Sequence, residues 1–274
     1  DPVGADSEIE FCLAQVDPSG NPTSGINRVN GGSNSWGSAA FDSQIKPTTQ
    51  WDPNSYMNMW CAPLSGGLLG YAVFPVGSGL PGLFGGSAAN EDGVVMGYQF
   101  FGSTDKGNFP VMQAPYDKGR TATHEVGHYL GLRHIWGDGG CGVDDFCNDT
   151  PESDASNGGC PSHTSCGTLD MVQNYMDYTN DACMNIFTED QKARMLTVMA
   201  NSPRRASLLN SNVCNLGPIA PTALFTSDVT EGCPGLTVNF SDNSSGNPAP
   251  TSWSWSFPGG NPSTSNVQNP TVVY

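Results

Sequence analysis

The chain has 274 residues, enough for one large domain, or one and a half, around a substantial buried core. Its 26 acidic residues face 10 basic ones, a net charge of −16, which excludes nucleic acid as a partner because little could neutralise phosphates, and disfavours anionic membrane surfaces. The 34 glycines and 21 prolines make it turn-rich, yet 37% apolar content separates it from disordered chains, and no apolar run approaches the ~18 residues of a membrane span.

In chain order, the first expected element is a strand over residues 8–16. Further strands are expected over 56–61, 68–74 and 93–101, each rich in β-branched and aromatic residues. A helix is expected over 121–132, with Thr121 as N-cap and Gly131 near its stop. A second helix is expected over 188–201. There Thr188 and Gln191 have capping-box spacing, Glu189 and Asp190 suit the positive end, and Pro203 lies beyond the stop. Met195, Val198 and Met199 recur on one face, as core residues do. Beyond Cys214 the composition shifts. Residues 215–221 read as a proline-punctuated linker, and after it 237–240 and 252–257 alternate polar and apolar as half-buried strands. Strands followed by helices indicate a mixed α/β or α+β domain over 1–214, with a small β region over 222–274.

The nine cysteines, five of them between 141 and 183, point to an oxidising compartment. An odd count leaves at least one thiol free or paired between molecules. The opening Asp1-Pro2-Val3 carries no Met and no charged-then-apolar leader. The expectation is a secreted protein, released from a signal peptide and a pro-segment.

Three of the four histidines fall in one stretch, His124-Glu-Val-Gly-His128-Tyr-Leu-Gly-Leu-Arg-His134. On a helix His124 and His128 lie one turn apart on one face, so both imidazoles reach the same metal. Glu125 projects beside them, within reach of a metal-bound water. Gly131 lets the backbone leave the helix, so that His134 returns as third ligand. Three neutral nitrogen ligands and an open fourth position describe catalytic zinc rather than a closed structural site. The expected chemistry is hydrolysis of peptide bonds in proteins by a zinc-bound water, with Glu125 as general base. Satisfied core histidines are the bland alternative, and the extended spacing argues against them.

The long histidine motif resembles that of the metzincin metallopeptidases, and Asn174-Tyr-Met-Asp-Tyr178 resembles their methionine turn, with Met176 beneath the metal. Residues 119–128, Trp136-Gly-Asp138, Asp149-Thr-Pro151 and the methionine turn together resemble the pappalysin (cytophagalysin) family, a likeness covering about residues 8 to 200. The resemblance implies a twisted mixed sheet over the zinc helix and an irregular lower subdomain. It also implies that Tyr178 stabilises the tetrahedral oxyanion. An edge strand over 93–98, with Gly93, Val94 and Val95, would pair with an extended substrate.

Six of the 26 acids crowd residues 138–154, and hard oxygen ligands in a loop suit calcium, although the spacing is not an EF-hand. The resemblance implies structural calcium there, with Asp145, Asp149, Thr150 and Glu152 as candidate ligands. Four cysteines of this region allow three connectivities. The resemblance implies Cys141 with Cys166 and Cys160 with Cys183. Asp181, after the methionine turn, is a candidate floor for the pocket that takes the side chain following the scissile bond, favouring Arg or Lys there. The tail resembles a PKD domain, an Ig-like β-sandwich, and is expected to be incomplete because the chain stops where the last two strands would begin.

The expected partners are protein or peptide substrates, and the expected state is a monomer. A rival from another class is an inactive, calcium-stabilised adhesion or binding protein. A gluzincin-type peptidase is a third, which would need a downstream glutamate ligand that His134 makes redundant.

Overall fold

In the computed structural model, which describes residues 3–83, 88–215, 219–247 and 249–274, the chain divides into two units, Asp1–Val213 and Cys214–Tyr274. The first begins with extended chain, followed by helices α1 (Ser38–Gln44) and α2 (Lys46–Thr49). A three-stranded sheet follows: β1 (Met59–Ala62), β2 (Gly70–Ala72) and β3 (Val94–Gly97), in the order β1-β3-β2. β1 runs parallel to β3 with Met59 opposite Val94, and β2 runs antiparallel with Gly70 opposite Met96.

Alternation along β3 divides the core into two parts. Val94 and Met96 pack with Tyr129, Leu132, Ile135, Met176 and Met195 on one face. Val95 packs with Phe41 and Ala62 on the other, flanked by Trp36, Trp60 and Tyr71. All of β3 is therefore buried. The expected edge strand over 93–98 is a correction: β3 is the centre of the sheet, and Gly93, Val94 and Val95 offer no free edge. A strand with partners on both sides reads as a continuous apolar run, and Val94-Val95-Met96 is one. The edge strands are β1 and β2, and β2 is the one that packs against the α-helix that follows the sheet in the chain.

Helix α3 (Arg120–Tyr129) packs beneath this sheet. It begins earlier than expected, after Gly119 at φ 82, and Thr121 is not its cap. It stops at Tyr129, short of 132, because Gly131 takes φ 89 and Leu132 N donates back to the Gly127 carbonyl at 2.9 Å. The buried Arg205 holds that end. Its guanidinium donates to the Tyr129 carbonyl at 2.9 Å and grips Asp92 through two bonds of 2.7 and 2.9 Å.

The lower part is irregular, with a short hairpin of β4 (Thr164–Ser165) and β5 (Thr168–Leu169), and disulfides join Cys141 to Cys166 and Cys160 to Cys183. Among the described residues Cys61, Cys147 and Cys233 are free thiols. Helix α4 (Glu189–Asn201) carries the full capping box, Thr188 and Gln191 each bonding the other's backbone amide, and α5 (Pro203–Leu208) follows. The expected strand over 8–16 is not formed. Only Val16 pairs, in an isolated bridge to Pro22, while Phe11 and Leu13 stand exposed. The rest of the segment runs without a ladder partner among the described residues.

The second unit consists of small antiparallel sheets. β6 (Ile219–Thr222) pairs with β9 (Ser245–Asn247). β7 (Phe225–Ser227), β8 (Thr237–Asp242) and β12 (Thr271–Val273) form a second sheet, and β10 (Trp255–Ser256) pairs with β11 (Thr264–Ser265). Ile219 to Pro221, expected in a linker, are thus strand, and residues 216–218 of that linker lie outside the described residues. The strand expected over 252–257 shortens to β10. Trp255 and Phe257 stack, and Phe240 packs tilted against both rings.

Candidate active site

His124 and His128 project from one face of α3, and His134 returns from the loop after Gly131. A donor atom from each imidazole lies within 4.8 Å of the others. His128 Nε2 and His134 Nε2 are 3.1 Å apart. Each ring commits its Nδ1 to an acceptor: the Tyr175 carbonyl for His124 at 2.7 Å, the Leu132 carbonyl for His128 at 2.8 Å, and the Asp138 carboxylate for His134. That arrangement fixes Nδ1–H on each ring and leaves Nε2 as the free donor.

Electrostatics suit a metal. Burial pushes His124 and His128 down to about 3, and His134 down to about 4, so all three imidazoles are neutral, as ligands must be. Three converging imidazoles, with no fourth ligand grouped with them among the described residues, fit zinc of the open, catalytic kind. Glu125 is buried beside them, and burial alone raises its carboxyl to about 8. Its Cγ packs so closely under β2 that a Cβ on Gly70 would stand 3.0 Å from it. Phe74, just beyond β2, sets its ring edge-on to His128 at 5.2 Å. The free edge of the sheet therefore lies over the histidines.

Tyr178 flanks the same cluster. Its ring is 4.9 Å from that of His134, 5.5 Å from that of His124 and 4.9 Å from that of Trp136, and about half of it is exposed. Burial, then the nearby Glu125 and Asp138 carboxylates, raises its hydroxyl above the usual phenol range. Met176 is fully buried under α3. Its turn is fastened by Asn174, whose Oδ1 accepts from Met176 N at 2.9 Å and whose amide exchanges bonds with Gln191 of α4. Asp177 fixes Tyr178 from behind, its Oδ1 accepting the Tyr178 and Asn157 amides at 2.8 Å each. Sequence reasoning missed Asn157, which belongs to no local pattern that points across the loop, and saw Asp177 only as a member of the turn motif. Asn174 was visible only as part of the turn motif.

The calcium candidates are not all brought together. Asp145 is buried and its carboxylate accepts from Thr150 Oγ1 at 2.9 Å, while burial raises it to about 7. Asp149 turns instead to the start of α4, accepting from Thr188 Oγ1 at 2.6 Å and Asp190 N at 2.9 Å. Glu152 accepts from Gly142 N at 3.0 Å. Asp181 has a structural role that its place after the methionine turn does not reveal. Its Oδ2 receives the Lys118 and Arg120 amides at 2.7 and 3.2 Å, so it anchors the N-terminus of α3, while its buried Oδ1 has no partner. No helix among the described residues is long and apolar enough to cross a membrane.

Comparison with known proteins agrees with this geometry. The peptidase M43 family, described as pregnancy-associated plasma protein-A, matches residues 103–200. Extracellular metalloprotease 1 of Coccidioides posadasii is 37% identical over 164 residues, covering 59% of this chain and 55% of the relative. An extracellular metalloprotease of Arthroderma otae is 36% identical over 166 residues, covering 58% and 57%. The chain thus spans about half the length of the curated relatives it matches. Among solved structures, mature mirolysin of Tannerella forsythia in complex with a cleaved peptide superposes with a TM-score of 0.65 at 39% identity, covering 78% of this chain and 80% of that one. Promirolysin of the same organism gives 0.64 at 38%, covering 77% and 69%. A zinc-type histidine triad, a buried carboxylate beside it, a methionine turn below, and relatives of this kind lead to one conclusion: the chain belongs to the pappalysin family of metzincin metallopeptidases.

Proposed function

We propose that the protein is a secreted zinc endopeptidase acting on proteins or peptides. The observation that carries this is the convergence of His124, His128 and His134 beside the buried Glu125 carboxyl, which no described hydrogen bond occupies. The three imidazoles would hold zinc through Nε2. When bound, zinc supplies Lewis acidity to the substrate carbonyl and lowers the pKa of a water. Glu125 then accepts the proton of the attacking water at its carboxylate and passes it to the leaving amine nitrogen. The Tyr178 hydroxyl donates to the oxygen that gains charge. The free edge of β2 pairs with the extended substrate and so aligns the scissile bond. Extracellular names among the relatives and the pro-form of mirolysin support secretion and a removable pro-segment.

Two finer assignments belong to the same reading. Asp145, Thr150 and Glu152 are assigned to structural calcium, supported by a buried carboxyl that has only a hydroxyl and an amide for company. Asp181 Oδ1, buried without a partner, is assigned to a basic side chain following the scissile bond. The test of the whole is metal analysis with a casein digest. One zinc per chain and digestion abolished by 1,10-phenanthroline are expected; digestion that continues in the chelator refutes the zinc mechanism.

A further inference from the structure

Two of the three histidine ligands are oriented by the helix that carries them, but His134 is not. It lies beyond the end of α3, where the chain has already turned at Gly131, and its imidazole is the least enclosed of the three. Something outside the helix must set its angle and choose its tautomer.

We infer that Asp138 is the positioning residue for this third ligand, binding His134 Nδ1–H so that Nε2 is presented to the zinc. His124 and His128 use backbone carbonyls for the same purpose, whereas His134 uses a carboxylate. An anionic acceptor does more than a carbonyl, because it also makes the opposite nitrogen a stronger donor to a cation. The carboxylate is brought back under the ring by two consecutive left-handed residues, Gly137 and Asp138, both at φ 62. Only glycine suits the first, since a Cβ there would stand 2.5 Å from the Val143 carbonyl oxygen. Aspartate is among the few other residues that tolerate the second. Arg133 steadies the turn, its Nη2 donating to the Gly137 carbonyl at 2.5 Å and lying 3.5 Å from the other Asp138 oxygen.

Trp136 completes the clamp. Its indole stacks on the His134 ring at 4.2 Å with only 6° between the planes, and Tyr178 meets both rings edge-to-face at 4.9 Å. The imidazole is thus held in plane by the stack and about its own axis by the carboxylate. A ligand taken from a loop becomes as constrained as one on a helix.

The inference rests on zinc being the bound metal, so the test measures zinc affinity rather than turnover. Asp138→Gly keeps the left-handed backbone and removes the acceptor, and Asp138→Asn keeps backbone and acceptor but removes the charge. Zinc dissociation constants would be measured by competition with a chromogenic chelator, with thermal midpoints of the metal-free proteins alongside. Asp138→Gly is expected to bind zinc about 10- to 100-fold more weakly than the parent. Asp138→Asn should fall between, and the metal-free midpoints should coincide. Unchanged affinity in Asp138→Gly overturns the inference, as does an affinity loss matched by a lowered metal-free midpoint, which would mark a folding role. A parent that binds no zinc at all overturns the zinc reading, and this inference with it.

Discussion

The sulfur of Met176 lies 2.5 Å from the point where a Cβ on Gly127 would stand. The methionine turn and the zinc helix therefore approach each other to the limit that a glycine permits. Gly127 sits one residue before the second histidine, so this contact sets the height of His128 above the turn.

Gly127→Ala measures how tight that approach is. In a free helix the change would stabilise by roughly 1 kcal/mol through propensity. Here the added methyl must displace the thioether, and overpacking costs about 1–3 kcal/mol. The expected outcome is a lower midpoint of urea unfolding in the metal-free protein. A raised midpoint would mean that Met176 moves aside freely and does not fix the helix.

Tyr178→Phe removes a single hydroxyl from a ring whose packing against His134 and Trp136 is retained. Zinc content and KM should stay near those of the parent, while kcat falls about 10- to 1,000-fold, as it does when one oxyanion donor is lost. An unchanged kcat reduces Tyr178 to a packing residue.

Much of this site was legible in the sequence because its signals are local. The histidine spacing, Gly131 and the Thr188–Gln191 capping box all act within a turn or two of chain, and each appears in the structure as its spacing requires. What failed depends on distant partners. Residues 93–98 have the composition of a strand, but being central or at an edge is a property of the whole sheet, and here β1 and β2 are the edges. Residues 8–16 alternate well, yet only Val16 enters a β-bridge, to Pro22. Asp149 was read from the acidic loop and Asp181 from its place after the methionine turn, and neither pattern shows that the fold also ties one to the start of α4 and the other to the start of α3, about 60 residues away in sequence. Helix N-termini attract carboxylates from anywhere in the chain, and nothing in a local pattern reveals which.

Asp181→Asn separates the two uses of that residue. Asparagine still offers an oxygen to the Lys118 and Arg120 amides, so the thermal midpoint should change little. The charge on the unpartnered side is lost. Cleavage-site profiling on a peptide library should show Arg and Lys enriched after the scissile bond in the parent and depleted in the variant. Equal enrichment in both would confine Asp181 to its helix.

Calcium should raise the thermal midpoint. A ligand at 100 times its Kd that binds only the folded state adds about 2.7 kcal/mol, and Asp145 is the buried carboxyl whose charge it would balance. Differential scanning with calcium and with EGTA, at a concentration that spares zinc, reads this directly. Coincident curves would show that the loop acids hold no calcium.

The central claim is that a histidine-held zinc and the Glu125 carboxylate act together, and Glu125→Ala measured for zinc content and peptide cleavage side by side tests it most directly. The variant should retain one zinc per chain, because the ligands are untouched, and lose nearly all turnover, because the proton acceptor is gone. A Glu125→Ala protein that holds its zinc and still cleaves peptides at the parent's rate would contradict the account.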